Sequence, residues 1–392
     1  MSRYRLEPSR GQEEVLLRHC SDARYVWNLA VEQHAWWRPG RVPAPGYLEQ
    51  ARQLTAARAA SAWLRTGSQM VQQQALRDFA QAMAGFFAGT NRRPSWRKAG
   101  RDEGFRVVAI GPGDVRRLNR NHAEVKVPKV GWVRFRWSRP VPPGVKSYRV
   151  TRDRAGRWHV AFAAIPGPVE GPGTGGVVGI DRGVTVSAAL STGELLSCPG
   201  LTAREAARLR RLRRKLARAR RGSVRRRAAR RGIARLKARE VARRKDWCEK
   251  TSTSLARRFD VIRVEDLTIA NMTRSARGTI TQPGRNVAAK AGLNRGIQRS
   301  GWGLLVRRLG DKAPGRVEKV SPAFTSQRCS ACGHTAAKSR ESQALLRCVA
   351  CDFACNADVN AARNIAAGHA VNARGGDRAA GPVNREPQLL AP

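Results

Sequence analysis

The sequence predicts a multidomain α+β protein: a β-rich unit carrying an inserted helical domain, then a mixed-sheet unit interrupted by a four-cysteine ribbon. Three observations predict it. The hydrophobic period switches from helical spacing to strict alternation and back along 392 residues, a length that suggests two to three domains. A Pro/Gly-rich stretch from Pro166 to Gly176 separates the two halves. Five of the eight cysteines crowd between Cys329 and Cys355, four of them as two C-x-x-C pairs.

Charge narrows the function. The chain has 75 Lys and Arg against 29 Asp and Glu, a net charge of +46, while 41% hydrophobic residues suffice for a core. Such a surplus repels itself unless a polyanion offsets it, and nucleic-acid phosphates are the usual partner. A membrane surface is the rival, but no apolar run approaches the roughly 18 to 20 residues of a spanning helix. Met1 to Arg10 lacks the apolar centre of a signal peptide. The expected location is the cytoplasm, in association with the nucleoid. In that reducing compartment the scattered Cys20, Cys198 and Cys248 read as inert thiols, and the cluster reads as a metal site.

Along the first half, Tyr4 and Leu6 mark a short strand stopped by Pro8. Val15, Leu16, Ala23, Val26, Trp27 and Ala30 then follow a helical stripe, and helical pattern resumes near Tyr47 and from Ser68. Leu76, Phe79, Met83, Phe86 and Phe87 form its apolar face, read as core rather than as base-stacking surface. Arg92, Arg93, Trp96, Arg97 and Lys98 interleave cations with an aromatic ring, which suits either a solvated loop or a nucleic-acid contact. From Phe105 the period becomes two: Val133, Phe135 and Trp137 alternate with Arg134 and Arg136, and Val160, Phe162 and Ala164 repeat the pattern. The N-terminal strand is expected to pair here in a small β-barrel. That places a barrel at 1–10 and 102–170, with a helical domain inserted at 11–101.

In the second half, three strands are expected in a meander: Val177 to Asp181, Val184 to Leu190 and Glu194 to Ser197. A basic helical segment at 204–258 follows, broken near Gly222 and Ser223. Like charges four residues apart repel unless a polyanion lies against them. Arg210, Arg211, Arg213, Arg214, Lys215, Arg225, Arg226 and Arg227 are therefore candidate nucleic-acid contacts. A solvated helix face is the alternative. Strands follow at Val261 to Val264 and Arg316 to Val320, then the ribbon at 323–355 and a helix from Asp358 to Ala367. This order places a ribonuclease H-like domain at 171–322 and 356–367. The end of the chain, 368–392, is rich in Ala, Gly, Arg and Pro and is expected to be disordered.

Two sets of residues carry chemistry. Cys329-x2-Cys332 and Cys348-x2-Cys351, fifteen residues apart, match the four-thiolate spacing of a zinc ribbon, with His334 and Cys355 as lesser candidate ligands. Four thiolates close the coordination, so this zinc would hold structure rather than catalyse. Asp181 and Glu265 both end short apolar strands, where α/β sheets place ligands, and Asp358 opens the final helix. Three hard oxygen ligands suit Mg²⁺, and two such ions could activate a water and stabilise a leaving 3′ oxygen.

Several segments resemble the transposon-encoded TnpB family. Gly179 to Gly183 and Val264 to Leu267 look like its first two RuvC motifs. Ser326 to His334, Asn356 to Ile365, Gly292 to Arg295 and Gly301 to Gly303 also match, and the resemblance is looser over the first 170 residues. The resemblance implies a wedge-like β-barrel, an inserted helical recognition domain, and a RuvC nuclease interrupted by a zinc-bearing target-binding domain. It also implies a guide RNA from the transposon end, a double-stranded DNA target cut beside a short adjacent motif, and catalysis by Asp181, Glu265 and Asp358. Arg182 stands where the family often has an apolar residue. The competing readings are a RuvC-like nuclease without a guide, an RNA-guided DNA-binding regulator, and a DNA transposase.

Overall fold

In the computed structural model, which describes residues 2–36, 40, 43–101, 103–164 and 167–368, each change of hydrophobic period marks a change of element. The expected tail at 368–392 lies, beyond its first residue, outside the described residues. Strand β1 (Ser2–Arg5) leads into α1 (Arg10–Ala35), which opens on a capping box between Ser9 and Gln12. Helices α2 (Tyr47–Ala60), α3 (Ala62–Thr66) and α4 (Gln69–Phe87) follow. The apolar face read from the sequence divides: Leu76, Phe79 and Met83 are buried, whereas Phe87 is exposed.

Six strands complete this part: β2 (Gly104–Val108), β3 (Val115–Arg117), β4 (His122–Val127), β5 (Gly131–Arg136), β6 (Ser147–Arg152) and β7 (Trp158–Ala163). They form an antiparallel sheet in the order β1-β7-β6-β2 and a second in the order β3-β4-β5. A bridge between Leu6 and Phe135 joins the two. The expected pairing of the N-terminal strand is present, with Tyr4 opposite Val160. The barrel is not closed, however, because β2 and β3 are both edge strands. The connection between them contains Pro112, which has no N–H for a ladder, and Ala109 at φ 58°. Tyr4, Phe135, Tyr148 and Phe162 meet edge to face at 5.3–5.9 Å and share one core with α1 and α4.

The second half begins with β8 (Val177–Asp181), β9 (Ala188–Leu190) and β10 (Leu195–Leu196). The expected strand from Val184 is shorter than read: 184–187 bend instead, and Val184 lies against Gly296. Helices α5 (Ala203–Arg218) and α6 (Val224–Arg258) carry the basic segment and break at Gly222, φ 81°. Then come β11 (Val261–Glu265), α7 (Ile269–Met272), α8 (Val287–Ser300), α9 (Trp302–Lys312), β12 (Val317–Val320), β13 (Leu345–Arg347), β14 (Ala354–Asn356) and α10 (Ala357–Ala366). The sheet order is β10-β9-β8-β11-β12, with β8, β11 and β12 parallel and β9 and β10 an antiparallel extension. Its core joins Val178, Ile180, Ile262 and Val264 to Cys248 and Leu255 of α6 and to Leu305 and Leu309 of α9.

The chain divides into two compact units, Met1–Gly167 with Leu201–Val241 and Pro168–Gly200 with Ala242–Pro392. This differs from the assignment of all of 204–258 to the second half. Only the last turns of α6, with Cys248, Leu255 and Ala256, contribute side chains to the second core. No described helix is long and apolar enough to cross a membrane.

Candidate active site and metal centre

The site is built where two parallel strands end. In the β8–β11 ladder Arg263 lies opposite Gly179 and Val264 opposite Ile180, so Asp181 and Glu265 leave the same edge of the sheet side by side. Helix α10 supplies the third carboxylate. Asn356 caps it, its Oδ1 accepting the N–H groups of Asp358 at 3.0 Å and Val359 at 3.1 Å. That helix can lie on β8 because Gly179 has no side chain: a Cβ there would meet the Ala362 carbonyl oxygen at 2.0 Å and the Ala366 nitrogen at 2.3 Å. Asp358 is thereby brought to Gly183, its Oδ2 lying 3.9 Å from a Cβ position there.

Asp181 feels both other acids. Burial first, then the charges of Glu265 and Asp358, push the Asp181 carboxyl up to about 8. Burial also raises Asp358, and Arg340 opposes the shift. Arg340 Nη2 stands 3.8 Å from Asp358 Oδ1 and donates to the carbonyl of Gln343 at 3.1 Å. Glu265 is buried and accepts from the Thr325 hydroxyl at 2.9 Å. Its backbone carbonyl accepts from the guanidinium of Arg182, which is itself buried, so Arg182 ties the ends of β8 and β11 together. Asp266 is exposed and pairs with Lys319 at 3.0 Å. Carboxylates are hard oxygen donors, the class that divalent cations such as Mg²⁺ take, but their oxygens do not draw together here as the cysteine sulfurs do.

The cysteines draw together more tightly. The sulfurs of Cys329, Cys332, Cys348 and Cys351 all lie within 4.8 Å of one another, the one such cluster among the described residues; His334 and Cys355 are outside it. Cys329 to Cys351 is 3.8 Å and Cys332 to Cys348 is 3.6 Å. Sulfurs at about 2.3 Å from one tetrahedral zinc would be ~3.8 Å apart. The two knuckles repeat one design. Cys329 N–H donates to His334 O and Gly333 N–H to Cys329 O, and Cys348 N–H donates to Phe353 O and Asp352 N–H to Cys348 O. Gly333 and Asp352 take the left-handed conformation, at φ 78° and 53°. The Ala350 amide, 3.4 Å from Cys348 Sγ, leads the effects that draw this thiol below the ordinary cysteine range.

Two asparagines fasten the ribbon to α10. Asn360 Oδ1 accepts from Ser330 N–H at 2.8 Å, and its Nδ2 donates to Arg328 O at 2.7 Å. Asn364, one turn on, donates to Thr325 O at 2.9 Å and Arg328 O at 2.7 Å. Sequence reading did not single out Arg340, Thr325, Asn360 or Asn364 for these contacts. Asn360 and Asn364 were visible only as members of the matching segment Asn356 to Ile365.

The candidate nucleic-acid contacts fall into two kinds. Arg92, Arg93, Trp96 and Lys98 are exposed on a strip beside α1, where Arg93 donates to His34 O. Arg97 instead stacks on Trp27 at 3.7 Å, and its backbone pairs with Asn28. Arg210, Arg211, Arg213, Arg214, Lys215, Arg225 and Arg227 are exposed on α5 and α6. Arg226 caps α5, donating to Leu216 O at 2.8 Å and Ala219 O at 3.1 Å.

Comparison with known proteins gives a consistent picture. The OrfB_IS605 family model, described as a probable transposase, matches residues 162–276. A Cas12f1-like TNB domain model matches 302–365, and a helix-turn-helix model matches 2–40, where the described residues form β1 and α1. The chain is 36% identical over 396 residues to the "Putative RNA-guided DNA endonuclease InsQ" of Escherichia coli (strain K12), covering 98% of this chain and 96% of that protein. It is 32% identical to a "Putative RNA-guided DNA endonuclease" of Streptomyces pristinaespiralis, covering 95% and 90%. A 51-residue stretch, 13% of the chain and 12% of the relative, is 53% identical to the CRISPR-associated endodeoxyribonuclease Cas12f1 of Sulfoacidibacillus thermotolerans. Among solved structures, the Cas12f1–sgRNA–target DNA complex matches the fold with a TM-score of 0.53 at 14% identity, covering 91% of this chain and 83% of that one.

Proposed function

The chain belongs to the TnpB family, and from that premise we propose that it is a transposon-encoded, RNA-guided DNA endonuclease that hydrolyses phosphodiester bonds. The observation that carries the reading is that Asp181 and Glu265 end adjacent parallel strands and that the charges of Glu265 and Asp358 both act on Asp181, with Arg340 beside Asp358. Asp181, Glu265 and Asp358 would hold Mg²⁺, two ions by the usual arrangement, which supplies water activation and stabilisation of the leaving oxygen when bound.

The protein's own residues do the rest. Thr325 fixes one oxygen of Glu265, and Arg182 holds the Glu265 backbone level with Asp181. Arg340 would face the pentacovalent phosphate, where its charge stabilises developing negative charge. The two bridged sheets correspond to the wedge, α1–α4 to the recognition domain, and the exposed cations of α5 and α6 to a phosphate-gripping surface for guide and target. Cys329, Cys332, Cys348 and Cys351 would hold a structural zinc in the target-binding insertion. Full-length coverage of the two endonuclease relatives and retention of all three acids favour this reading over a regulator that binds without cutting.

The test is to sequence RNA that copurifies with the protein, map it to the flanks of the gene, and assay cleavage of a matching plasmid in Mg²⁺. Guide-matched cutting is expected. Cutting that ignores the guide would support the unguided nuclease instead.

A further inference from the structure

Phe324 is placed where both its backbone and its ring are costly. Its φ is 59°, in the left-handed region that bulky side chains avoid, yet the residue is 49% exposed. The ring makes no ring–ring or cation–π contact with any described residue. The conformation is nonetheless held firmly. The Phe324 carbonyl accepts N–H groups from Gln327 and Arg328, both at 3.0 Å. The next residue, Thr325, is buried; its hydroxyl bonds Glu265 Oε1 at 2.9 Å and the Pro322 carbonyl at 3.2 Å, and its own carbonyl accepts from Asn364. An exposed aromatic is thus fixed, one residue from a contact to a site carboxylate, by a network that also anchors the zinc knuckle. Strained backbone held by its surroundings concentrates at functional sites.

We infer that Phe324 is a stacking platform for one nucleobase of the strand being cut, setting the position of its phosphodiester at the carboxylates. The ligand class is single-stranded nucleic acid. An aromatic face accepts any base, so the platform would hold register without reading sequence. This inference rests on the nuclease reading of Asp181, Glu265 and Asp358.

The test uses the full-length, RNA-loaded protein with a guide-matched target in Mg²⁺-free buffer. 2-Aminopurine is moved one position at a time along each target strand, and its fluorescence is read with wild type, Phe324→Ala, Phe324→Gly and Phe324→Trp. Stacking at one position should quench in wild type and Phe324→Trp and be lost in both small variants. Phe324→Gly suits the left-handed backbone, so its failure separates loss of the ring from loss of the turn. With Mg²⁺ added, single-turnover cleavage should fall roughly 5- to 150-fold in Phe324→Ala and Phe324→Gly, the span of base–aromatic stacking, with target affinity and zinc content unchanged. Quenching and cleavage that are the same in wild type and Phe324→Gly would overturn the platform. Phe324-dependent quenching without cleavage by wild type would keep the platform and remove the nuclease reading beneath it.

Discussion

Gly179 lies directly beneath the Ala362 carbonyl, so close that a methyl group on Gly179 would stand 2.0 Å from that oxygen. Backbone, not a flexible side chain, fills the space, so α10 would have to lift from β8. Asp358 rides on α10, and lifting the helix carries the third carboxylate away from Asp181. Gly179→Ala is expected to destabilise the fold by about 3 kcal/mol, the upper end for overpacking, and to abolish cleavage. Denaturant unfolding and a cleavage assay check it; a variant as stable and active as wild type would contradict the packing.

The pH dependence follows from Asp181. Its carboxyl is raised to about 8, above the ordinary Asp value of about 3.9. A group raised in the folded state contributes stability that is complete below the ordinary value and is lost as pH rises through the folded one. Without Mg²⁺, therefore, stability should decline between about pH 4 and 8, and Asp181→Asn should flatten that decline. Mg²⁺ should offset the loss and bind more tightly as pH rises. Thermal melts of both proteins from pH 5 to 9, with and without Mg²⁺, measure the difference.

Zinc removal should act on structure. Cys329→Ser or Cys348→Ser should release the metal and unfold the ribbon, since structural zinc contributes on the order of 10 kcal/mol to such units. Asn360 and Asn364 bind the backbone of the first knuckle, so disorder should reach Thr325 and loosen Glu265. Metal analysis and hydrogen exchange over 323–366 report it. Zinc-free protein with native exchange and full activity would refute the assignment.

The basic helices divide by what each arginine touches. Neutralising Arg210, Arg211, Arg213, Arg214 and Lys215 together should lower the log–log salt slope of nucleic-acid binding by about 0.7 to 0.9 for each phosphate no longer gripped. Arg226→Ala should leave that slope nearly unchanged and instead destabilise the α5–α6 junction by about 1 kcal/mol, because its guanidinium caps Leu216 and Ala219. Salt titrations of binding, paired with melting curves, separate the two.

How much of this was legible in the sequence depends on the range of the interaction. Period and spacing are local, so the alternation at Val133 and Phe135, the helix break at Gly222 and the two C-x-x-C knuckles could be read directly. Asp181 and Glu265 were legible because each closes a short apolar run. Arg340 was not: it is one basic residue among 75, and its meaning comes from standing 3.8 Å from Asp358. Nor could sequence tell that Arg97 and Arg226 are engaged within the protein while their neighbours are exposed. The open edge between β2 and β3 escaped for a similar reason, since alternation gives strands but not which edges meet.

Cleavage by single-acid variants tests the central claim most directly. Wild type, Asp181→Ala, Glu265→Ala, Asp358→Ala and Asp266→Ala are loaded with guide RNA and given a guide-matched plasmid in Mg²⁺, with binding measured in parallel. Each of the first three variants should bind target and fail to cut, and combining them should cost little more, because one missing ligand already disables the metal site. Asp266 is exposed and paired with Lys319, so Asp266→Ala should cut nearly as well as wild type. Persistent cutting by Asp181→Ala, with the guide still required, would contradict the assignment of the site.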